Sequence, residues 1–178
     1  MDIIRLIDGD LLIKLQELLI HDQWSSGVIM FTNLGKLGLI WIIITIILLI
    51  FKKTRKYGIA AGLALLIMLI VNNGILKNLI DRQRPYEVFE GVRLLIPPEN
   101  DSSFPSGHTA AAFAFANAIL KTGARKIGWI LMCVAFLMGL SRIYVGVHYP
   151  GDVLFGMIMG CIYGSIACWI IKTVNKRK

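Results

Sequence analysis

Cysteine is scarce in this chain, and acid is outnumbered by base. Only Cys133, Cys161 and Cys168 occur among 178 residues. All three lie inside apolar stretches, and none belongs to a Cys-x-x-Cys pair or a Cys/His spacing suited to a metal. They read as small buried hydrophobes, which excludes a disulfide framework and a zinc site. Asp and Glu total 11 against 19 Lys and Arg, a formal net charge of +8. The excess does not point to nucleic acid, because the cations fall between long apolar runs rather than on a polar face. Internal repeats, low-complexity tracts and polar linkers are absent, so one domain over residues 1–178 is expected. A cleaved signal is not expected either: Asp2, Asp8 and Asp10 stand where a basic region would, and no small-residue cleavage site follows.

What the chain has instead is apolar length. It is 56% hydrophobic with a mean hydropathy of +0.69, above the roughly 45–50% apolar content of soluble domains. About 20 apolar residues cross a bilayer core of roughly 30 Å. The pattern predicts an all-α polytopic membrane bundle with spans over 28–51, 58–76, 107–120, 127–147 and 153–171. Residues 2–21 read as an amphipathic helix at the interface, with Ile3, Ile7, Leu11, Leu15 and Leu18 at helical steps and charges between them. A first, irregular span there is the alternative. The third span is short and rich in alanine, which suits close packing in the middle of the bundle.

Charge orients the spans. Eleven Lys and Arg are confined to 52–56, 121–126 and 172–178. Five spans put these segments on one side, which the positive-inside rule makes the cytoplasm. The 77–106 and 142–152 regions then meet on the opposite, extracytoplasmic face of the plasma membrane.

Three motifs converge on that face, and ionisable residues beside a span are functional candidates by default. The first is Lys77-x6-Arg84-Pro85. If the second helix runs on to Pro85, Lys77, Asp81 and Arg84 share one face, either as a phosphate grip or as a cation pair with Asp81 as internal partner. The second is Pro105-Ser106-Gly107-His108 at a helix start, where a hydroxyl and free backbone N–H groups suit an anion. The third is Ser141-Arg142-x5-His148-x3-Asp152. Arg142 and His148 lie about 120° apart on an ideal helix. They reach one site only if the helix loosens near Gly146 or the arginine bends back. Asp152 suits an N-cap, a partner that orients His148, or both.

The ordered set KxxxxxxRP, PSGH and SRxxxxxHxxxD, complete here, resembles the type 2 phosphatidic acid phosphatase family of integral-membrane lipid phosphatases. That family shares its site with acid phosphatases and vanadium-dependent haloperoxidases. The resemblance covers Lys77 to Asp152 in motifs and about 28–171 in helix layout. It implies that His148 is the nucleophile forming a phosphohistidine, that Asp152 orients it, and that His108 protonates the leaving oxygen and then activates water. Lys77, Arg84, Arg142, Ser106 and Gly107 would bind the phosphoryl oxygens. No metal ligand set, cofactor, nucleic acid or obligatory protein partner is implied; the partners are a lipid phosphate and membrane lipids. An outward site suits undecaprenyl diphosphate, with phosphatidylglycerol phosphate or phosphatidic acid as the alternative. From other classes, a haloperoxidase is disfavoured because such relatives are soluble, and a silent lipid-binding or transport bundle would not need both histidines and the aspartate.

Overall fold

Apolar residues three and four apart along 3–19 give helix α1 (Ile3–Leu19), which docks by Leu12 and Gln16 and turns Ile3 and Leu18 outward. The computed structural model describes residues 3–176; Asp2, Arg177 and Lys178 of the sequence reading lie outside the described residues. Gln16 ties α1 down through backbone groups, donating to Arg93 O (2.9 Å) and Tyr144 O (3.0 Å) and accepting from Arg93 N (2.9 Å). Among the described residues every element is helical: α2 (Asp22–Leu34), α3 (Leu39–Ile50), α4 (Arg55–Met68), α5 (Lys77–Ile80), α6 (Pro85–Val88), α7 (Gly107–Lys121), α8 (Arg125–Tyr144) and α9 (Pro150–Lys176).

Among the described residues three stretches are by themselves long and apolar enough to cross a membrane: Arg55–Val88, Arg125–Tyr144 and Pro150–Lys176. The 28–51 stretch, expected as one straight span, is made of the pair α2 and α3, which together are long and apolar enough to cross but bend by 52°. The bend sits at the 3-10 turn Lys36–Gly38, where Gly38 takes a left-handed φ of 69°.

The α4 helix widens into a π-helical segment, Leu69–Leu76, and returns to α geometry as α5. It does not run on to Pro85. Asp81 has φ 41° and closes the helix with its N–H on Lys77 O. Pro85 instead starts α6, since its fixed φ and missing N–H suit a first helical position. Asp81 is therefore no internal partner of Lys77.

Helix α7 is the centre of the bundle, as its alanines suggested. Residues 109–119 are all buried, and α9, α8 and α4 pack around it. Small residues set the distance to α9. A Cβ at Gly156, Gly160 or Gly164 would fall 2.9 Å, 2.6 Å and 2.9 Å from the carbonyl oxygens of Ser106, Ala110 and Ala114. This contact locks the start of α9 beside the start of α7. Outward, α3, α4, α8 and α9 present Ile43, Leu66, Ile130 and Trp169, an apolar surface matched to lipid.

Candidate active site

The three motifs meet where α5, α7 and α8 end or begin. Arg142 sits in the last turn of α8, which stops at Tyr144. The chain then turns through Gly146, at φ 81°, where any Cβ would lie 2.3 Å from Arg93 O. This is the loosening that the Arg142–His148 spacing required, and it brings both side chains to one cavity. The cavity, about 850 Å³, is lined both by Lys77, Gly107, His108, Arg142 and His148 and by the aliphatic Ile42, Ile46, Leu65, Leu66 and Leu69. Gly35, at the α2–α3 bend, backs His108: a Cβ there would fall 2.8 Å from His108 Cδ2.

Arg84 and Arg142 are each 1% exposed and Lys77 is 8% exposed. Such burial of three cations needs counter-charge, and two carboxylates of the 89–106 loop supply it. Asp101 accepts from Lys77 Nζ and from Arg84 Nη2 (2.6 Å), and Arg84 Nε donates to its carbonyl (2.9 Å). Glu99 bridges Arg84 Nη2 (2.8 Å) and Arg142 Nη2. Arg84 Nη1 donates to Val147 O (2.8 Å) and Arg142 Nη1 to Thr32 Oγ1 (2.7 Å). Arg142 Nε is buried with no protein partner. Burial alone would push the Asp101 carboxyl up, but the hydrogen bond and charge of Lys77, joined by Arg84, hold it down at about 2. Glu99 is likewise lowered: Arg142 and Arg84 outweigh the effect of burial.

His148, 1% exposed, is on the far side of the same cations. Burial and then the charges of Arg84, Arg142 and Lys77 push its imidazole well below its ordinary range. It is therefore neutral at physiological pH, with a lone pair available on the ring. Its Nδ1 lies 3.5 Å from Ser103 Oγ and 3.6 Å from Asp152 Oδ2. Asp152, fully buried in the first turn of α9, also accepts Ser103 Oγ–H and the Tyr149 N–H (3.0 Å) on Oδ2. It thus caps the helix start and faces the histidine at once.

Arg84, Ser106 and Asp152 do not line the cavity; they stand behind the residues that do. Ser106 N donates to Asp152 O (3.2 Å), and its hydroxyl pairs with Thr109 Oγ1 (2.9 Å). Four residues at the site escaped the sequence reading: Arg82, Glu99, Asp101 and Ser103. Their signal was proximity to the motifs, since Arg82 precedes Arg84-Pro85 and Ser103 precedes Pro105, but nothing in the spacing revealed their partners. Among the described residues no group of three His, Cys, Asp or Glu could hold a metal ion.

Known proteins resemble this chain in sequence and in fold. The family model described as the PAP2 superfamily matches residues 56–176. A protein of Sulfolobus acidocaldarius named undecaprenyl-diphosphatase is 34% identical over 177 residues, 96% of this chain and 85% of its own length. The Bacillus subtilis undecaprenyl-diphosphatase BcrC is 40% identical over 114 residues, 64% of this chain and 58% of that protein. Among solved structures, Aquifex aeolicus LpxE superposes with a TM-score of 0.77 at 35% identity, covering 88% of this chain and 92% of that one. The PAP2-type phosphatidylglycerolphosphate phosphatase of B. subtilis gives a TM-score of 0.77 at 25% identity, covering 98% and 89%.

Proposed function

The chain belongs to the PAP2 superfamily and is a multi-pass membrane lipid phosphatase, and from that premise we propose that it converts undecaprenyl diphosphate to undecaprenyl phosphate through a phosphohistidine, on the extracytoplasmic face of the plasma membrane. The observation that carries this reading is the cavity: a polar group made of the buried cations Lys77 and Arg142 and two histidines, with Arg84 tied to it through Glu99 and Asp101, and an aliphatic wall from α3 and α4. The first fits a phosphate and the second a lipid.

In this mechanism His148 attacks phosphorus with Nε2, since Nδ1 faces Ser103 and Asp152. The bond to the leaving oxygen breaks as His108 gives that oxygen a proton. Water, deprotonated by His108, then attacks phosphorus, and the P–N bond breaks to free His148. Asp152 balances the charge that the imidazole gains. Lys77, Arg84, Arg142 and the Gly107 N–H at the start of α7 bind the phosphoryl oxygens, while Ser106, whose N–H is given to Asp152 O, holds that helix start in place. Phosphoryl transfer depends mainly on such positioning and charge stabilisation, and three cations supply here what a metal supplies elsewhere. The substrate follows the names of the two undecaprenyl-diphosphatase relatives. The B. subtilis structural relative favours phosphatidylglycerol phosphate as the second reading; phosphatidic acid shares its chemistry.

Detergent-purified protein should release phosphate fastest from undecaprenyl diphosphate in a panel that includes phosphatidylglycerol phosphate, phosphatidic acid and an aryl phosphate. Release should persist in excess EDTA and be inhibited by orthovanadate. Activity that stops with chelator and returns with magnesium would remove the mechanism.

The face is tested separately. In a cysteine-free variant, single cysteines at the exposed positions Glu90 and Lys121 should label differently in intact cells. An impermeant maleimide should reach position 90 only. Labelling at position 121 alone reverses the orientation.

The Glu99 and Asp101 carboxylates occupy the cations that the phosphate needs, so binding must displace them. Asp101, held at about 2, stays charged through physiological pH. As pH falls from the ordinary carboxylate range toward 2, the stability from its pairing is lost; from pH 5 to 8 the competition is constant. Glu99→Gln combined with Asp101→Asn should tighten orthovanadate inhibition about tenfold, the size of one charge-assisted hydrogen bond. Unchanged inhibition would mean that anion and carboxylates do not compete.

A further inference from the structure

Arg82 is joined to Asp152 as closely as any residue of the three motifs, yet it belongs to none of them. The left-handed turn at Asp81 leads into Arg82, whose backbone pairs with the 102–103 segment: Ser103 N donates to Arg82 O (2.8 Å) and Arg82 N to Ser102 Oγ (2.9 Å). Its guanidinium donates from Nη1 to Asp152 Oδ1 (2.6 Å) and from Nη2 to Asp8 Oδ2 (2.7 Å). Its plane lies 3.8 Å from the centroid of the Tyr149 ring. Asp8, on α1, uses its other oxygen to accept the N–H of Gly151 (2.9 Å), one residue before Asp152. The two Asp152 oxygens are thus divided: Oδ1 goes to Arg82, while Oδ2 faces Ser103, Tyr149 N and His148.

A fully buried carboxylate without a counter-ion takes up a proton instead of staying charged. Around Asp152 stand the neutral imidazole of His148 beside it and two charged groups, Arg82 from the α5–α6 connection and Asp8 behind Arg82 on α1. Arg5, also on α1, is held by Gln83 Oε1 (2.8 Å). Arg82 is the cation that touches Asp152.

We propose that Arg82, anchored by Asp8, is a positioning residue that keeps Asp152 charged and aimed at His148, which makes α1 a part of the catalytic machinery. The inference rests on the phosphohistidine reading above. A group that orients a catalytic residue typically contributes 10–100-fold, and loss of Arg82 should appear in kcat rather than in KM.

The test uses the full chain in detergent with Arg82→Gln, Arg82→Lys and Asp8→Asn. Wild-type turnover decides the parent reading: no phosphate release from any lipid phosphate removes that reading, and this inference with it. Given turnover, Arg82→Gln should lose about 10–100-fold in kcat, with KM and inhibition by inorganic phosphate within threefold. The acid limb of its kcat/KM profile should move to higher pH, because a carboxylate deprived of its cation ionises later. Arg82→Lys, which keeps the charge, should recover about tenfold. Asp8→Asn should lose about three- to tenfold without the move to higher pH. A kcat within threefold of wild type in Arg82→Gln overturns the proposal. So does a loss that leaves the acid limb unmoved and is equal in the lysine variant, the mark of a structural role. If Arg82→Gln does not yield folded protein, Asp8→Asn decides: wild-type kcat in that variant overturns the proposal.

Discussion

His148→Ala is expected to abolish phosphate release from every substrate, by roughly 10⁴-fold or more, as removal of a covalent nucleophile does in other hydrolases. The imidazole is buried, neutral, and flanked by the cations that would hold the phosphoryl group. No other ring or hydroxyl described around the cavity combines those three properties. The loss should be independent of the leaving group, because the variant lacks the atom that attacks. A denatured sample quenched during turnover of labelled lipid should carry acid-labile, base-stable phosphate in the wild type and none in the variant. A trappable phosphoenzyme in His148→Ala would assign the nucleophile elsewhere. Orthovanadate affinity should fall as well, since its five-coordinate adduct needs the ring nitrogen, whereas inorganic phosphate should still bind the intact cations.

His108→Ala should behave differently, and the contrast separates the two rings. General acid catalysis contributes about 10²–10⁴-fold, so a lipid monophosphate with a basic alkoxide leaving group should lose that much. An activated aryl phosphate, whose oxygen departs without a proton, should recover most of the loss. Water activation falls to the same ring, so breakdown of the phosphohistidine should then limit turnover, and labelled phosphoenzyme should accumulate in this variant. Equal losses on the alkyl and aryl esters would show that His108 binds rather than donates. Its place is compatible with donation: on the first turn of α7, it lines the same cavity as His148.

Much of the fold was legible in the sequence, for a physical reason. Apolar runs of membrane length have few alternatives to a helix, because an unsatisfied backbone group in lipid is expensive. Alanine marked the crowded centre, since only small side chains allow α7 and α9 to approach as they do, but the α9 glycines that complete the contact were not singled out. The three motifs were readable because phosphate binding needs cations, backbone donors and imidazoles at helix ends, and these residue types stand out against apolar runs.

Breaks and partners were not legible. The 28–51 stretch reads as a continuous apolar run, yet it bends at Lys36–Gly38, where Gly35 packs on His108 and Met138 from other helices. Helix α5 stops at Asp81, before the proline that marked the expected end. Lys77 pairs with Asp101 rather than with Asp81, and Arg84 and Arg142 share Glu99. Asp152 is bound to an arginine 70 residues away, and through it to an aspartate of α1. Local spacing determines which residues reach a helix end and on which face they emerge. Which charge meets which across the chain depends on how the 89–106 loop and α1 fold back over the bundle, and the tertiary structure decides that because each buried charge must find its counter-charge among whatever neighbours packing provides.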